Sequence, residues 1–372
     1  MAQELKSKIV IIGAGPSGCT CAYYLQDKFD VTIIDKKEPL LTLLPTGGTR
    51  CNLAHAEYDY RELAKNYPRG EKFLYSIFSR FGTYDTLEFF KQIGVETYLQ
   101  DDNRFFPVSN SSKDVREKFL KALKNVKFIK EEALRINKNG NRYKVVTNMA
   151  SYDADYVVIS IGGHSSFELI KLLGHNIVPL KPSLTGLQTK EDFSSLAGVS
   201  VNDILFTHKG LSGPKIYKIS SLYARKEFPY KLSFCILEIS NLQELLNSNP
   251  HKSVKNLLGE FIPKSLSEYI LKNLQIDIDA KCHTIDGATR DKIINKLNNF
   301  QVTVTKPFAD GEVVMSGGVD LKEVNSKTLE SKINKNIYFC GEVLDIDGFC
   351  GGFNLQNCWS DGFVVADSIL HA

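Results

Sequence analysis

Three residue types that can take part in chemistry stand together early in the chain. Arg50, Cys51 and Asn52 supply a cation, a thiol and an amide, and they follow the glycine pair Gly47–Gly48. Glycines let a backbone lie close against a ligand, because they have no side chain and tolerate positive φ angles. The loop therefore predicts a ligand-lining segment, although a surface loop with Arg50 in an ion pair would have the same composition. Cys51 is the weaker candidate as a redox thiol, since the sequence places no second cysteine near it.

The residues before this loop have the pattern of a dinucleotide-binding βαβ unit. The apolar run Ile9 to Ile12 is followed by three glycines in a G-x-G-x-x-G arrangement, and Asp35 ends the next apolar strand about 20 residues later. An acid at that spacing accepts hydrogen bonds from an adenosine ribose and argues against the 2′-phosphate of NADP. The neighbouring lysines weaken that last argument. The residues expected at this end of the cofactor are Gly13, Ala14, Gly15, Pro16, Ser17, Gly18, Asp35, Lys36 and Lys37, and Ala133 is a further expected cofactor contact.

Two later glycine-rich segments decide between NAD and FAD. Val157 to Ile161 and Ile337 to Cys340 predict two further buried strands, and Phe353 to about Ile369 predicts a C-terminal helix. A nucleotide domain that takes its last strand and helix from the far end of the chain favours FAD, whose ribityl chain Asp345 would hold. The helix N-terminus would face the flavin, where its partial positive charge stabilises the anionic reduced ring. The cofactor contacts expected here are Ser160, Ile161, Gly162, Gly163, Gly341, Glu342, Asp345, Gly351, Gly352, Phe353, Asn354 and Leu355.

Several stretches along the whole chain resemble a known family. They are IIGAGPSG at 11–18, GGTRCNL at 47–53, RFFPVSNSSKDV at 104–115, PSLTGLQT at 182–189, LFTHKGLSGP at 205–214, VVMSGGVDL at 313–321 and CGEVLDIDGFCGGFNLQNC at 340–358. Together they resemble the bacterial FAD-binding flavoproteins known as aminoacetone-oxidase-type or BaiN-like NAD(P)/FAD-dependent oxidoreductases. The chain differs from that pattern at Thr49, where the family has a third glycine, and at Cys340, where it has a small residue. The resemblance implies FAD binding and leaves the substrate open.

The remaining sequence predicts an insertion in the nucleotide domain. We expect the FAD-binding domain at 1–180 and 322–372, an antiparallel β-barrel at 181–240 and 301–321, and a small helical subdomain at 241–300. His208, in the turn-like stretch FTHKGLSGP, is a weak acid/base candidate, and a histidine bonded to its own loop is the more ordinary reading. No spacing indicates a metal site.

Composition limits the function classes. A net charge of +3, and eight Lys/Arg against seven Asp/Glu in 241–300, argue against a nucleic-acid partner. No apolar run approaches the length of a membrane span, the N-terminus enters a strand without a signal-peptide layout, and the eight scattered cysteines are typical of reduced thiols. We therefore expect a cytoplasmic protein of α/β class with a small-molecule substrate.

These observations favour a FAD-dependent oxidoreductase. Hydride would pass between flavin N5 and a small organic substrate or NAD(P)H, which is a candidate transient reductant, with FAD held tightly but not covalently. A flavin-dependent RNA-modifying enzyme and a non-catalytic FAD-binding protein are the alternatives. The substrate, the electron acceptor and the oligomeric state stay open.

The first prediction concerns the cofactor itself. The purified protein should be yellow and should release FAD, rather than FMN, when it is denatured, because FMN lacks the adenosine that Asp35 is expected to bind. Chromatography of the released flavin measures this. Release of FMN, or a colourless protein that takes up no FAD, would contradict the expected site.

Overall fold

The computed structural model of the chain describes residues 6–308 and 314–372. The strands, in chain order, are β1 (Lys8–Ile12), β2 (Asp30–Ile34), β3 (Ala54–His55), β4 (Thr97–Leu99), β5 (Arg104–Pro107), β6 (Val126–Ile129), β7 (Ala133–Asn139), β8 (Arg142–Thr147), β9 (Ser151–Ala154), β10 (Tyr156–Ile159), β11 (Ile177–Ser183), β12 (Leu187–Thr189), β13 (Ser200–Val201), β14 (Ile204–Thr207), β15 (Gly210–Ser212), β16 (Tyr230–Phe234), β17 (Phe300–Pro307), β18 (Val314–Val319) and β19 (Ile337–Phe339).

The α-helices fall between these strands and at the C-terminal end. They are α1 (Pro16–Leu25), α2 (Tyr60–Ala64), α3 (Glu71–Phe78), α4 (Thr83–Gln92), α5 (Ser112–Ala122), α6 (Glu168–Lys171), α7 (Pro214–Leu222), α8 (Leu242–Ser248), α9 (Val254–Leu258), α10 (Lys264–Asn273), α11 (Gly287–Asn298) and α12 (Phe353–Leu370). The chain divides into two compact units, Met1–Lys181 with Val314–Ala372 and Pro182–Val313.

A five-stranded parallel sheet forms the centre of the first unit. Its order is β19–β10–β1–β2–β6, so the chain builds outward from β1 on one side and then crosses to the other side with β10. The side chains of Ile9 to Ile12 and of Val157 to Ile159 are buried, because both faces of the sheet are covered. In such doubly wound sheets a ligand binds at the carboxyl edge where the strand order reverses, which here lies between β1 and β10.

The predicted α/β fold with a parallel sheet is confirmed, with small differences at the strand ends. β10 ends at Ile159 and β19 ends at Phe339, one or two residues earlier than expected, because Ser160 and Cys340 already belong to the turns that follow. The C-terminal helix starts at Phe353 as expected and continues to Leu370.

Helix α12 packs closely along α1. A Cβ atom at Gly362 would lie 2.5 Å from the carbonyl oxygen of Ser17 and 2.8 Å from Cβ of Thr20, so only glycine lets the two helices approach this far. The indole of Trp359, which is fully buried, donates to the carbonyl oxygen of Leu53 at 2.9 Å. The first unit is therefore closed by a helix from the far end of the chain.

Three smaller sheets complete this unit. Strands β7, β8 and β9 form an antiparallel meander, β3, β5 and β4 form a second antiparallel sheet, and β11 pairs with β18. The stretch containing β18 was expected to return to the inserted barrel, but its sheet partner is β11 and it clusters with the first unit. Alternating apolar residues identify a strand but not its partner, so the sequence could not place this one.

In its described residues the second unit contains an antiparallel sheet and five α-helices. The six strands have the order β13–β14–β15–β12–β17–β16, and α7 to α11 belong to the same unit. Buried side chains of the sheet and of the helices form a single hydrophobic cluster, which includes Phe206, Phe300 and Leu266. The antiparallel insertion is present as expected. Its closure into a barrel and its separation into two subdomains stay predictions. Within 6–308 and 314–372 no helix has the length and apolar character needed to cross a bilayer.

Replacing Gly362 by alanine should destabilise the protein by about 1–3 kcal/mol, the usual cost of overpacking a dense interface. A matched control is Gly287→Ala in α11, where the nearest atom to the new methyl group is the flexible end of Arg290 at 3.8 Å. That change should alter stability by less than about 0.5 kcal/mol. Differential scanning calorimetry measures both, and equal effects would contradict the close approach of α1 and α12.

Candidate functional site

The carboxyl end of β1 is joined to that of β2 by a main-chain contact and to that of β10 by a hydroxyl group. The N–H of Gly13 donates to the carbonyl oxygen of Ile34 at 2.9 Å, and the hydroxyl of Ser160 donates to Ile12 O at 3.1 Å and Gly13 O at 2.9 Å. Gly13 has a φ of +112°, and a Cβ atom there would lie 2.3 Å from the carbonyl oxygen of Ser160. The tight turn expected from the sequence therefore needs glycine for both its conformation and its packing.

The second and third glycines of the motif have opposite surroundings. At Gly18 a Cβ atom would lie 2.2 Å from the carbonyl oxygen of Gly13, which explains how α1 sits so near β1. At Gly15 no atom lies within 4 Å of the Cβ position, although its φ of −78° would suit any residue. Gly15 therefore leaves open space directly at the N-terminus of α1, where Ser17 and Gly18 have N–H groups without intrahelical partners. This space fits the pyrophosphate of a dinucleotide.

A cavity of about 240 Å³ lies at the same edge of the sheet. The carboxylate of Asp35 is fixed there, because it accepts the N–H of Ala14 at 2.7 Å through one oxygen and the N–H of Lys37 at 2.9 Å through the other. Each oxygen retains a second lone pair that could accept a ribose hydroxyl. The cavity lining is Ile12, Gly13, Ile34, Asp35, Lys36, Glu131, Glu132, Ala133, Leu134, Ile161, Ser165, Ser166, Glu168 and Leu169.

This cavity is rich in acidic side chains. Asp35, Glu131, Glu132 and Glu168 all line it, whereas the cation of Lys36 is paired with Glu132 at 2.9 Å. A phosphate group would be repelled here, and neutral ribose hydroxyls would find hydrogen-bond acceptors. The geometry therefore fits an adenosine without a 2′-phosphate, and Lys36 does not reverse that preference.

The sequence identified only part of this lining. It singled out Gly13, Asp35, Lys36, Ala133 and Ile161 but missed the others, among them Glu131, Glu132 and Leu134. Glu131 and Glu132 follow β6, which pairs with β2 at the edge of the sheet, and Leu134 lies in β7. Recognising KFIK as a parallel edge strand would have provided the missing signal, but this short half-exposed segment has no continuous apolar run.

The Gly47 to Asn52 loop adopts an unusual run of left-handed conformations. Gly47 and Gly48 have φ angles of +59° and +66°, and the non-glycine residues Thr49 and Cys51 have +69° and +66°. Positive φ is unfavourable for a β-branched residue, so surrounding contacts must hold Thr49 in place. One such contact is the N–H of Ser112, which donates to Thr49 O at 2.9 Å.

Arg50 is positioned by an aromatic ring and an amide. Its guanidinium carbon lies 4.0 Å from the centroid of the Phe106 ring, and Nη1 donates to Oε1 of Gln100 at 3.1 Å. A planar guanidinium held in this way keeps further N–H donors for an anion such as a phosphate or a carboxylate. Phe106 and Gln100 are supporting residues that the sequence alone did not identify.

Cys51 is unsuited to redox chemistry. Its side chain is fully buried, and burial raises the pKa of the thiol to about 12. A thiol in this environment stays protonated near neutral pH, whereas the thiolate is the reactive form. The buried side chain has a packing role.

Asn52 connects the loop to the start of the C-terminal helix. In the amide orientation that satisfies both neighbours, its oxygen accepts the N–H of Gly352 at 2.9 Å and its nitrogen donates to Ala54 O at 3.2 Å. His55 adds a second connection, since its Nδ1 lies 3.2 Å from Gly351 O and its ring lies 4.6 Å from that of Phe353. The loop and the N-terminus of α12 therefore form one structure, in which His55 was not foreseen.

The remaining C-terminal candidates lie between β19 and α12. The N–H of Gly341 donates to the fully buried carboxyl group of Asp361 at 2.9 Å, and the hydroxyl of Ser17 donates to Cys340 O at 3.3 Å. Burial raises the pKa of Asp361 to about 7 and also raises the pKa of Glu342. The carboxylate of Asp345 accepts the N–H of Gly317 at 3.1 Å. These contacts bring the end of β19 against the start of α1.

Two sets of expected residues have less support from the geometry. Gly162, with a φ of +73°, has open space around its Cβ position, but a Cβ atom at Gly163 would lie 3.0 Å from Met315 Cβ. His208 belongs to the second unit, where it is exposed in the hairpin between β14 and β15. The described part of the chain holds no group of His, Cys, Asp and Glu residues arranged to bind a metal ion.

Comparison with known proteins now identifies the family. Residues 7–368 match the family described as HI0933-like protein Rossmann domain. The chain belongs to this family. It is 28% identical to a ribosomal RNA dihydrouridine synthase of Escherichia coli over 98% of both chains. It is also 28% identical to a 3-dehydro-bile acid delta(4,6)-reductase of Clostridium scindens, over 96% of this chain and 98% of that one. The resemblance to BaiN-like FAD-dependent oxidoreductases is thereby confirmed at the level of the family.

Solved structures of low identity agree on the fold. A flavocytochrome c3 fumarate reductase in an open conformation covers 99% of this chain and 78% of its own, with 11% identity and a TM-score of 0.51. The apo Sdh1 complex of Mycobacterium smegmatis covers 99% of this chain and 69% of its own, with 11% identity and a TM-score of 0.50. At such identity the likeness concerns the fold alone.

Gly15→Val should abolish FAD retention without destabilising the cofactor-free protein. The new side chain would enter the space that fits the pyrophosphate, but it would meet no protein atom within 4 Å of its Cβ position. Flavin absorbance per protein and the thermal midpoint of the apoprotein measure the two effects.

Gly18→Val is the matched comparison for this experiment. Its Cβ atom would collide with the backbone of Gly13, so this variant should lose stability as well as FAD. Normal FAD stoichiometry in Gly15→Val would mean that the pyrophosphate lies elsewhere.

Proposed function

We propose that the protein is an oxidoreductase that binds FAD tightly, without a covalent bond, and transfers hydride between the flavin and a small organic substrate or NAD(P)H. The observation that carries the proposal is the convergence of three segments in one unit: the Gly13–Gly18 turn, the Gly47–Asn52 loop and the N-terminus of α12. Bound FAD would supply the electron-transfer chemistry. The chain would supply binding, orientation and electrostatics.

Each segment has a distinct role in this proposal. The N–H groups at the start of α1 would bind the pyrophosphate, and Asp35 would accept the ribose hydroxyls of the adenosine. The N–H groups of Phe353, Asn354 and Leu355 have no intrahelical partners, so they form a positive pole at the start of α12. Asn52 holds that pole in place through Gly352. An anion near the flavin ring would be favoured there.

Arg50 would hold the negatively charged part of a ligand. Its guanidinium stacks on Phe106 in a half-buried position, where charge-assisted hydrogen bonds are stronger than in water. A substrate carboxylate and a cofactor phosphate are the two chemical candidates. In either case Arg50 positions the ligand and does not move a proton, since an arginine stays charged.

Anaerobic reduction tests this function directly. Addition of NADH or NADPH to the purified holoprotein should bleach the visible flavin absorbance, and air or another acceptor should restore it. Cys51→Ser should be reduced at the same rate as the parent protein, because the buried thiol is protonated and takes no part. Full FAD occupancy without reduction by either nucleotide or by a panel of organic substrates would contradict the proposal. Much slower flavin reduction in a Cys51→Ser variant with normal FAD occupancy would mean that the thiol takes part in the reaction.

A second candidate function is supported by the relatives. In addition to the protein from E. coli, a ribosomal RNA dihydrouridine synthase of Haemophilus influenzae is 26% identical over 98% of both chains. The candidate is reduction of uridine in RNA by the same flavin. Incubation of the reduced holoprotein with unmodified ribosomal RNA, followed by mass spectrometry of the nucleosides, distinguishes the two substrates. Formation of dihydrouridine would favour RNA, and its absence would leave the small-molecule reductase.

A further inference from the structure

The second unit carries an uneven distribution of charge. Residues 204–231 contain six lysine and arginine residues and one acidic residue, Glu227, whereas 241–300 contain eight basic and seven acidic residues. The nearly neutral net charge of 241–300 therefore says nothing about the charge of 204–231. Basic residues concentrated in a short stretch are the electrostatic footprint of a polyanion-binding surface.

Helix α7 presents part of this charge on one face. Lys215, Lys218 and Leu222 are three and four residues apart, so they share a side of the helix. Lys218 and Leu222 are exposed and Lys215 is half-buried, whereas Ile216 and Ser220 on the other side are buried. The exposed face of α7 therefore combines lysines with an apolar side chain.

An aromatic cluster continues from the end of this helix. The rings of Tyr223 and Tyr230 are stacked at 5.6 Å and 18°, and the rings of Phe228 and Tyr230 lie 5.3 Å apart. The ammonium group of Lys226 lies 4.8 Å from the Tyr223 ring and 5.0 Å from the Tyr230 ring. Tyr223 is 38% exposed and Phe228 is 37% exposed.

Exposed aromatic rings and lysines therefore adjoin each other at the end of α7. The rings offer flat faces for stacking, and the lysines offer charge for a phosphate backbone. Proteins that bind single-stranded nucleic acid without strict sequence preference use this combination. An acidic peptide would satisfy the lysines but would leave the ring faces unused. A duplex would hide its bases from the rings.

We propose that Lys215, Lys218, Leu222, Tyr223, Lys226 and Phe228, here termed the basic aromatic surface, bind single-stranded RNA. Bases stack on Tyr223 and Phe228, and the lysines contact the backbone phosphates. This inference rests on the second candidate function described above, for which it identifies the binding surface.

Fluorescence anisotropy of a labelled unstructured RNA of mixed sequence, titrated with the full-length holoprotein at 50–200 mM salt, tests the surface. Tyr223→Ala should weaken binding about tenfold, the size of one lost base stack. Lys226→Glu should weaken binding and lower the slope of log Kd against log salt by about 0.7, the contribution of one phosphate contact to a single strand.

Lys264→Glu in α10 is the matched control. It makes the same charge change at an exposed lysine outside the basic aromatic surface and should leave RNA affinity unchanged. Thermal melting and FAD content of each variant verify that it is folded. For Tyr223, replacement by Phe keeps the stacking ring and should restore affinity.

Each outcome bears on the surface separately from the flavin chemistry. RNA binding that is lost in Tyr223→Ala and Lys226→Glu but kept in Lys264→Glu supports the surface, even if no dihydrouridine forms. No binding at 50 mM salt, equal losses in all three variants, or equal competition by polyglutamate and duplex RNA would overturn it. Reduction of the flavin by NAD(P)H can be measured in the same variants, and it tests the proposed oxidoreductase function independently of RNA binding.

Discussion

The site depends on how closely the carboxyl ends of three strands approach the first turn of α1. At Gly13, Gly18 and Gly341 a Cβ atom would lie between 2.2 and 2.4 Å from an atom of a neighbouring segment. Glycine is thus required by packing at all three positions, and by a positive φ as well at Gly13 and Gly341. The close approach leaves main-chain N–H groups, and not side chains, facing the space at Gly15. A pyrophosphate needs such donors, and their positions are fixed before the ligand arrives.

The same site requires both ends of the chain. β1 and α1 come from the first 25 residues, whereas β19 and α12 come from the last 40 or so, and Ser17, Gly341 and Gly362 are the contacts that join them. Asn52 and His55 then connect the early loop to the start of α12. The insertion of 182–313 leaves this arrangement intact because it enters and leaves through β11 and β18, which pair with each other. A long insertion costs little when the two strands that flank it are already neighbours.

The parts of the site that the sequence predicted are those that depend on local signals. The G-x-G-x-x-G turn, the buried parallel strands and the start of α12 follow from short patterns of glycine and apolar residues. The missed parts depend on contacts between distant segments. Glu131 and Glu132 line the cavity because β6, the strand before them, pairs with β2. His55 contacts Gly351, which is 296 residues away in the sequence. Thr49 is intermediate, since the sequence showed a departure from the glycine pattern there but not that Ser112 would hold a left-handed threonine.

The two kinds of surface on this chain show why the total charge predicted so little about partners. The cavity beside Asp35 is lined by four carboxylates and one lysine, and that lysine is paired. Residues 204–231 have the opposite composition. Salt screens the electrostatic field of exposed charges beyond about 10 Å at ordinary ionic strength. Each ligand therefore responds to the charges near it and not to the net charge of +3. An adenosine ribose is suited to the first region because it is neutral, and a polyanion is suited to the second because its charge is repeated. If both proposals hold, selection between these ligands follows from where the charges lie, and it would persist in a chain of zero net charge.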